Sequence, residues 1–562
     1  MPSITKKIIS GKPYYYLRQC ERVNGRPKIV WTHYLGTPQR LVERLSAPGP
    51  LQVSLAEFGA SAAVFDVATM LDVVATVDRH VPKRGDAGPS VGQYLLLAAL
   101  NRCVKPRSKA SLYDWYRGTA LRRLLPLSAA QVTSQRFWDN MDRVGPEQIA
   151  AIEGDLAARA VSLFGLDLRC LLFDATNFFT FADSFNDRPD LLQRGHSKEG
   201  RDSLRLLGLA LLVTADGDIP LFHHTYAGNQ HDSVTFGEVT EDLAQRLKAL
   251  ARGAVDLTLV FDKGNNSEDN LAAVAKEGIH FVGSLVPTHH PDLLAIPRKA
   301  MRRLDAAQLP AVWAHRTIKK VFGVERTVLC TFNQPLYDSQ VKTLRREIAK
   351  RRRRLRAVEA ALSRPHSRGK QPTVAGVEKK VTAILQGRHM KDLFSAKVRA
   401  RKNGRPLLTF QFLQGAWDEL DRTLLGKTIL FTDRAEWTDE QIVIGYRAQH
   451  HVEGSFRRMK DPHYLTFRPV FHWTDQKLRV HAFCCVLALM IATLLRRRLA
   501  KASIEVSVSR MLARLSAINE VTMLYPAPPG KDEPFARTML SAQEPDQRAM
   551  VEALDLARYA AR

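Results

Sequence analysis

The chain has 562 residues, 45% apolar and 25% charged, a composition that belongs to folded globular proteins and excludes a disordered chain. Its length suggests roughly three or four domains. A net charge of +26, from 83 Lys and Arg against 57 Asp and Glu, makes a polyanion the expected partner, because each cation placed on a phosphate releases a condensed counterion.

The opening MPSITKKIISGKPYYY has no apolar stretch of the kind a secretory signal needs, so secretion is not expected. The longest apolar run, Ala482 to Leu495, is about fourteen residues against the ~20 of a spanning helix, so it reads as a buried helix and no membrane is expected. The six cysteines include no C-x-x-C pair, which argues against a zinc ribbon or a disulfide framework and fits a reducing cytosol.

Residues 5–36 read as a small β unit, with KKIIS, YYYLRQCERV and KIVWTHYL as strands and Asn24-Gly25 as a hairpin turn. Residues 60–160 turn helical. SKASLYDWY and SQRFWDNMDRV both open on serines suited to N-caps. They carry Lys109, Trp115, Arg136 and Trp138, and read either as a helix-turn-helix-like DNA reader or as a plain helical spacer. From 166 the texture becomes strand-like: LRCLLFDATNFFTF, LRLLGLALLVTADG and IPLFHHTYAG, with a turn at Ala215–Asp218. A helix over Ser233–Leu250, the short apolar run DLTLVFDKG, a Ser-capped helix SEDNLAAVAKEG and the strand HFVGSLV complete an α/β unit with a mixed sheet.

Residues 288–427 interrupt that pattern. Val341, Leu344, Ile348, Leu355, Val358 and Leu362 occupy heptad core positions, with Arg351 in the remaining one. RPHSRGKQPT breaks this helix and VEKKVTAIL starts another, which predicts a helical hairpin. Its cluster Lys350, Arg351, Arg352, Arg353 and Arg354 has little acid nearby and suits phosphate contact. KTILFTD returns to strand, and Thr438 starts the next helix.

Asp174 and Asp262 each follow a buried apolar run, where a carboxylate is costly unless compensated and where a sheet can aim side chains at one point. Each could equally cap its own turn. Glu453 lies in YRAQHHVEGSFRRMK with Tyr446 seven residues before it and Lys460 seven after, which on one helix places all three on one face. Val452, Phe456 and Met459 form its docking stripe. Three carboxylates from two strands and a helix are what two Mg²⁺ ions require for phosphodiester displacement. The histidines of FHHTYAGNQHD and the His450-His451 pair lack zinc-ligand context. The cationic loop RGHSKEGR, with Lys198 and Arg201, suits phosphate. Trp417 and Trp437 read as core residues or as base-stacking ones.

LLFDATNFF, GHSKEGR, GLALLVTADGDIPL, YAGNQHDS, VFDKGNNSEDNL, YRAQHHVEGSFRRMK and FRPVFHWTDQKLRVHAFCCVLAL follow one another from about residue 170 to 490. In this the chain resembles the DDE transposases of bacterial insertion sequences, in the group with a Y-R-E-K motif. The resemblance implies an α/β fold with a ribonuclease H-like core and a mostly β insertion between the second aspartate and the glutamate. It makes Asp174, Asp262 and Glu453 the ligands of two Mg²⁺ ions, with Mn²⁺ as a substitute, and sets Tyr446 and Lys460 on the transposon-end backbone.

The family arginine falls at Gln449, where Arg447 points about 200° away on a helix. Either Gln449 makes a neutral contact there, or Arg447, Arg457 or Arg458 supplies the charge. The expected organisation is an N-terminal β unit (1–45), a helical DNA-binding region (46–165), the core (166–287 and 428–500), an insertion domain (288–427) and a C-terminal helical tail (501–562). The expected partner is double-stranded DNA, both transposon ends and target. The resemblance also implies a homodimer in the synaptic complex and a cytoplasmic, nucleoid-associated location. A nuclease without strand transfer and a non-enzymatic DNA-binding remnant are the rivals.

Overall fold

The structure is a computed structural model and describes residues 2–23, 26–45, 49–83, 85, 88–182, 189–250, 256–364, 371–527 and 533–561. The expected turn at Asn24-Gly25 and most of RPHSRGKQPT lie outside these residues.

The chain begins with β1 (Pro2–Ile9), β2 (Lys12–Val23), β3 (Arg26–Gly36), α1 (Pro38–Leu45) and β4 (Gln52–Glu57). Helices follow: α2 (Gly59–Met70), α3 (Val73–His80), α4 (Val91–Val104), α5 (Leu112–Arg117), α6 (Leu121–Leu124), α7 (Ser134–Met141) and α8 (Pro146–Phe164). Next come β5 (Cys170–Thr180), β6 (Gln193–Arg194), β7 (Arg205–Thr214), β8 (Pro220–Ala227), α9 (Asp232–Leu250), β9 (Thr258–Val260), α10 (Glu268–Lys276) and β10 (His280–Leu285). Then α11 (Pro291–Leu294), β11 (Arg302–Arg303), β12 (Val312–Val321), β13 (Val324–Asn333), α12 (Gln334–Ser363), α13 (Val374–Ile384) and α14 (Met390–Leu393). The chain closes with β14 (Phe394–Ala400), β15 (Pro406–Phe412), α15 (Gln414–Thr423), β16 (Lys427–Thr432), α16 (Asp439–Arg447), α17 (His450–Lys460), α18 (Asp475–Lys501), α19 (Val508–Ser516), β17 (Asn519–Tyr525), β18 (Phe535–Leu540) and α20 (Pro545–Ala553).

Two compact units result, one from Met1–Ala63, Tyr116–Pro126 and Ala513–Arg562, the other from Val64–Trp115 and Leu127–Leu512. The first unit holds two three-stranded sheets, β1-β2-β3 and β18-β17-β4. The second of these corrects the expected C-terminal helical tail. Residues 519–525 and 535–540 are strands, and β17 pairs with β4 from Asn519↔Glu57 to Leu524↔Gln52. That pairing spans more than 460 positions of sequence, and a local pattern carries no trace of it.

The second unit is built on a ten-stranded mixed sheet in the order β11-β12-β13-β16-β10-β9-β5-β7-β6, with β8 on β7. β5, β9 and β10 run parallel and the other neighbours antiparallel. Strands β5, β7, β8 and β10 and helices α9 and α10 fall where periodicity placed them. The insertion does not. β13 pairs with β16 from Thr327↔Thr432 to Phe332↔Lys427, so β11–β13 extend the core sheet instead of leaving it. The buried run along β13 is that of a strand covered on both faces. Only residues 334–426 depart, and they are mainly helical, with β14-β15 as a two-stranded sheet. Val341, Leu344, Ile348, Leu355 and Val358 of α12 pack with Val377, Val381 and Ile384 of α13, as the heptad pattern required.

The apolar run after Ala482 lies within α18, a 27-residue helix long and apolar enough to cross a membrane by composition, but buried here as a core helix against α4, α8 and β8. The four residues weighed for a helix-turn-helix differ in burial, with Arg136 exposed and Trp138 half-buried. Trp115 is buried, and Lys109 is half-buried with its ammonium 5.4 Å from the Phe137 ring. Burial and the Arg102 charge pull that ammonium down to about 8. Thr133, not Ser134, caps α7, accepting from the Arg136 N–H.

Candidate active site

Parallel strands β5 and β9 pair through Cys170↔Thr258, Leu171↔Leu259 and Leu172↔Val260. Two residues beyond the last pair, the strand period returns Asp174 and Asp262 to one face, side by side. Asp174 is not at a strand end, as expected, but in the middle of β5, paired with Leu211 of β7 on its other side. It is the neighbour that ends. β9 stops at Val260, and the chain turns into a 3₁₀ turn over Lys263–Asn265. The Asp262 side chain does not cap that turn, so the capping alternative fails for it. Asp174 accepts from the Ala175 N–H at 2.8 Å.

Burial raises the Asp174 carboxyl to about 7, the Lys198 charge and the Ala175 N–H oppose this, and Asp232 and Asp262 push it further up. The two aspartates therefore stand near enough to repel. Asp262 Oδ1 accepts from Ser284 Oγ at 2.9 Å and from the Tyr446 hydroxyl at 3.3 Å. Burial, then the Asp262 charge, keep that phenol protonated far above its usual range. Lys198 Nζ donates to the Ala175 carbonyl at 2.6 Å and to Asp232 Oδ2 at 3.1 Å. Tyr226 lies across β7 and donates to the Thr176 carbonyl at 3.1 Å. Its ring needs the bare backbone of Gly208, since a Cβ there would stand 2.3 Å from it.

The predicted single helix through Tyr446, Glu453 and Lys460 is two. α16 ends at Arg447, and α17 begins at His450 after a turn at Ala448 and Gln449. Ala448 and Gln449 keep right-handed helical dihedrals through the break, and contacts to other elements place Tyr446 at Asp262 and Lys460 at Thr176. Val452, Phe456 and Met459 dock α17 as expected. Lys460 Nζ, at its end, donates to Thr176 Oγ1 on β5 at 3.0 Å and lies 5.4 Å from the Phe178 ring. Glu453 is exposed, and its carboxylate accepts no hydrogen bond among the described residues. Its charge is felt at Tyr446. Residues 166–491, which carry all three acids, match the family model described as the transposase DDE domain.

The chain belongs to the DDE transposase family. No curated protein matches it. Among solved structures, a cryo-EM structure of the piggyBac transposase synaptic complex with hairpin DNA is similar at 9% identity and a TM-score of 0.36, covering 83% of this chain and 82% of that one. The matched stretch of the transposase leaves out β1–β4, the helices α1–α8 and the sheet of β17 and β18.

Gln449 of the transposase is buried. It is 7% exposed, and its Nε2 donates to the Phe173 carbonyl at 3.0 Å, with Oε1 buried and unpartnered. It ties the turn between α16 and α17 to the strand that carries Asp174. Of the arginines expected in its place, Arg457 is exposed and Arg447 half-buried, while Arg458 is held by Asp218. Asp218, 2% exposed, also binds His451 and Arg496. Burial opposes its charge, but these three partners outweigh it and hold the carboxyl near 2.

On α12, Lys350, Arg353 and Arg354 are exposed, Arg352 lies 5.2 Å from the Phe412 ring, and Arg351 is tied to Glu347 and to the Gln386 carbonyl. Arg201 is exposed, 5.9 Å from the Phe179 ring. His223 pairs with buried Glu153 at 2.5 Å, and burial pulls His224 down to about 4. Trp417 packs on the insertion core and Trp437 under Arg434. Sequence reasoning missed Ser284, Thr176, Tyr226, Asp218 and the role of Asp232. Thr176, Asp218, Tyr226 and Asp232 lie inside the quoted motifs, but nothing local marks the side chains they meet.

DDE transposases use divalent metals. The donors around Asp174 and Asp262 are carboxylate and hydroxyl oxygens, which suit a hard divalent cation. Two repelling carboxylates, one of them held near neutrality by burial, are what such a cation would relieve. The residues fit the group. Among the described residues, no three His, Cys, Asp or Glu side chains stand close enough to enclose an ion.

Proposed function

We propose that the protein is the transposase of a bacterial insertion sequence of the Y-R-E-K group, with a ribonuclease H-like core. It binds the terminal inverted repeats of its element, cleaves DNA at those ends, and joins the freed 3′-hydroxyl to target DNA. The observation that carries this reading is the adjacency of Asp174 and Asp262 where β9 ends, with Tyr446 and Lys460 reaching the same strands.

Asp174, Asp262 and Glu453 would hold two Mg²⁺ ions, or Mn²⁺ in their place. Such ions would supply stabilisation of the charge that develops on oxygen in a phosphodiester displacement. The protein's own groups do the rest. Ser284 and Tyr446 fix the Asp262 carboxylate through Oδ1, and Lys198 offsets the cost of an ionised Asp174. Lys460, held at Thr176, offers its ammonium to a backbone phosphate of the transposon end, as do Arg457, Arg201 and the exposed Lys350, Arg353 and Arg354. Water attacks first and the 3′-hydroxyl second, with no covalent enzyme intermediate. Two ends cut together imply a homodimer in the synaptic complex, working at the nucleoid.

The test is a gel assay on a duplex carrying the element's terminal repeat. Asp174→Ala abolishes Mg²⁺-dependent cleavage and leaves end binding nearly intact; retained cleavage refutes the assignment. A nuclease of the same fold would cut but fail to join pre-cut ends to target DNA. Matching inverted repeats beside the coding region, bounded by a short direct duplication, identify the element.

A further inference from the structure

In the helical segments expected to read DNA, Trp115 is buried and Arg136 is exposed. The sheet of β1, β2 and β3 offers a surface of the right chemistry. Residues 2–36 contain seven Lys or Arg and one Glu. Directly paired residues of an antiparallel sheet share a face. The register sets Ser3, Arg18 and Thr32 in one row, Thr5, Tyr16 and Tyr34 in the next, and Lys7 with Tyr14 in a third, all on the same face.

The three tyrosines lie together, with ring centroids 5.2 Å apart for Tyr16–Tyr34 and 6.2 Å for Tyr14–Tyr34. Arg18 lies 5.5 Å from the Tyr16 ring, and its Nε is buried without a partner. Tyr34 is 42% exposed, and Lys7, Ser3 and Thr32 are exposed. The opposite face carries Ile4, Ile8, Leu17 and Trp31, with Lys6, Gln19 and His33 among them, and has no comparable tyrosine cluster among the described residues.

We infer that the Tyr14–Tyr16–Tyr34 face of the N-terminal sheet, with Lys7 and Arg18, is a DNA-binding surface that lies in the major groove of the transposon end. A β-ribbon fits that groove. Phenol and hydroxyl groups on rigid strands can meet base edges there, while the two cations take the flanking phosphates. Rings already packed against one another in a tilted arrangement lose little freedom on binding, so the contact is pre-organised. The inference rests on the transposase reading, because it takes the end duplex as the partner.

Two measurements on the full-length protein test it. The first is photocrosslinking of the unmodified protein to a terminal-repeat duplex with 5-iododeoxyuridine, whose iodine projects into the major groove. The crosslinked peptide should contain Tyr14, Tyr16 or Tyr34. The second is fluorescence anisotropy of Lys7→Gln/Arg18→Gln across a salt series. Binding should weaken roughly tenfold, and the slope of log affinity against log salt should fall by about 1.8, some 0.9 per lost phosphate contact. Crosslinks confined to other peptides, with an unchanged slope, overturn this inference and leave the transposase reading standing. A wild-type protein that binds no terminal-repeat duplex and joins no ends overturns both.

Discussion

Asp218 gives the sharpest test of how α17, the helix of Glu453 and Lys460, is held. Its carboxylate is 2% exposed and meets His451 and Arg458 of α17 and Arg496 of α18. Asp218→Asn keeps the shape and removes the charge, leaving the cations facing a neutral amide in a buried setting. Breaking a buried ion pair from one side costs about 3–5 kcal/mol. With an unfolding entropy of ~2.1 cal/mol/K per residue, a second unit of roughly 440 residues melting as one has about 0.9 kcal/mol/K at Tm, so the variant should melt about 3–5 °C lower.

The pH dependence follows from the lowered carboxyl. It titrates near 2 in the folded protein against an ordinary 3.8, so its charge contributes about 2 kcal/mol that is fully present above pH 4 and lost as pH falls towards 2. Differential scanning calorimetry of both proteins should show the gap narrowing below pH 4. A difference under about 1 °C at pH 7, or one constant down to pH 3, refutes the network as the anchor of α17.

Three further outcomes can be measured. Asp174 has the opposite sign: its carboxyl is raised to about 7, so ionising it costs stability as pH rises from 4 to 7. In metal-free buffer Asp174→Asn should be more stable than wild type above pH 7 by about 2–4 kcal/mol, the lower end allowing for solvent screening, and equal to it below pH 4. Thermal melts with and without Mg²⁺ check this, and a gap indifferent to both pH and Mg²⁺ rejects it. Gln449→Arg introduces the arginine expected at this position but buries a charge beside the Phe173 carbonyl. It should cost about 2–5 kcal/mol with no gain in strand transfer, and improved joining at unchanged Tm would overturn the buried role. On α12, Arg353→Gln/Arg354→Gln should lower the salt slope of DNA binding by about 1.8 without moving Tm, whereas Arg351→Gln should lower Tm and spare the slope.

Much of the catalytic unit was legible locally. The apolar runs before Asp174 and Asp262 marked β5 and β9, because a strand covered on both faces needs nearly every residue apolar. The heptad of α12 named its buried face for a similar reason. Period and propensity report how one segment is covered, not what covers it.

Everything that depended on a distant partner was decided by the tertiary structure. β11–β13 joined the core sheet because β13 and β16 pair across a 93-residue excursion. The turn at Ala448 and Gln449 divided a helix that looked continuous, and contacts with Asp262 and Thr176 placed Tyr446 and Lys460. Gln449 stood where an arginine was expected, and its buried bond to Phe173 explains its placement. The sequence alone determined which acids lie on which strands and helix. Only the folded chain decided that Ser284 and Tyr446 hold one aspartate, Lys198 faces the other, and Asp218 fastens the helix that carries the glutamate. Those are contacts between side chains far apart in sequence, and no local pattern encodes them.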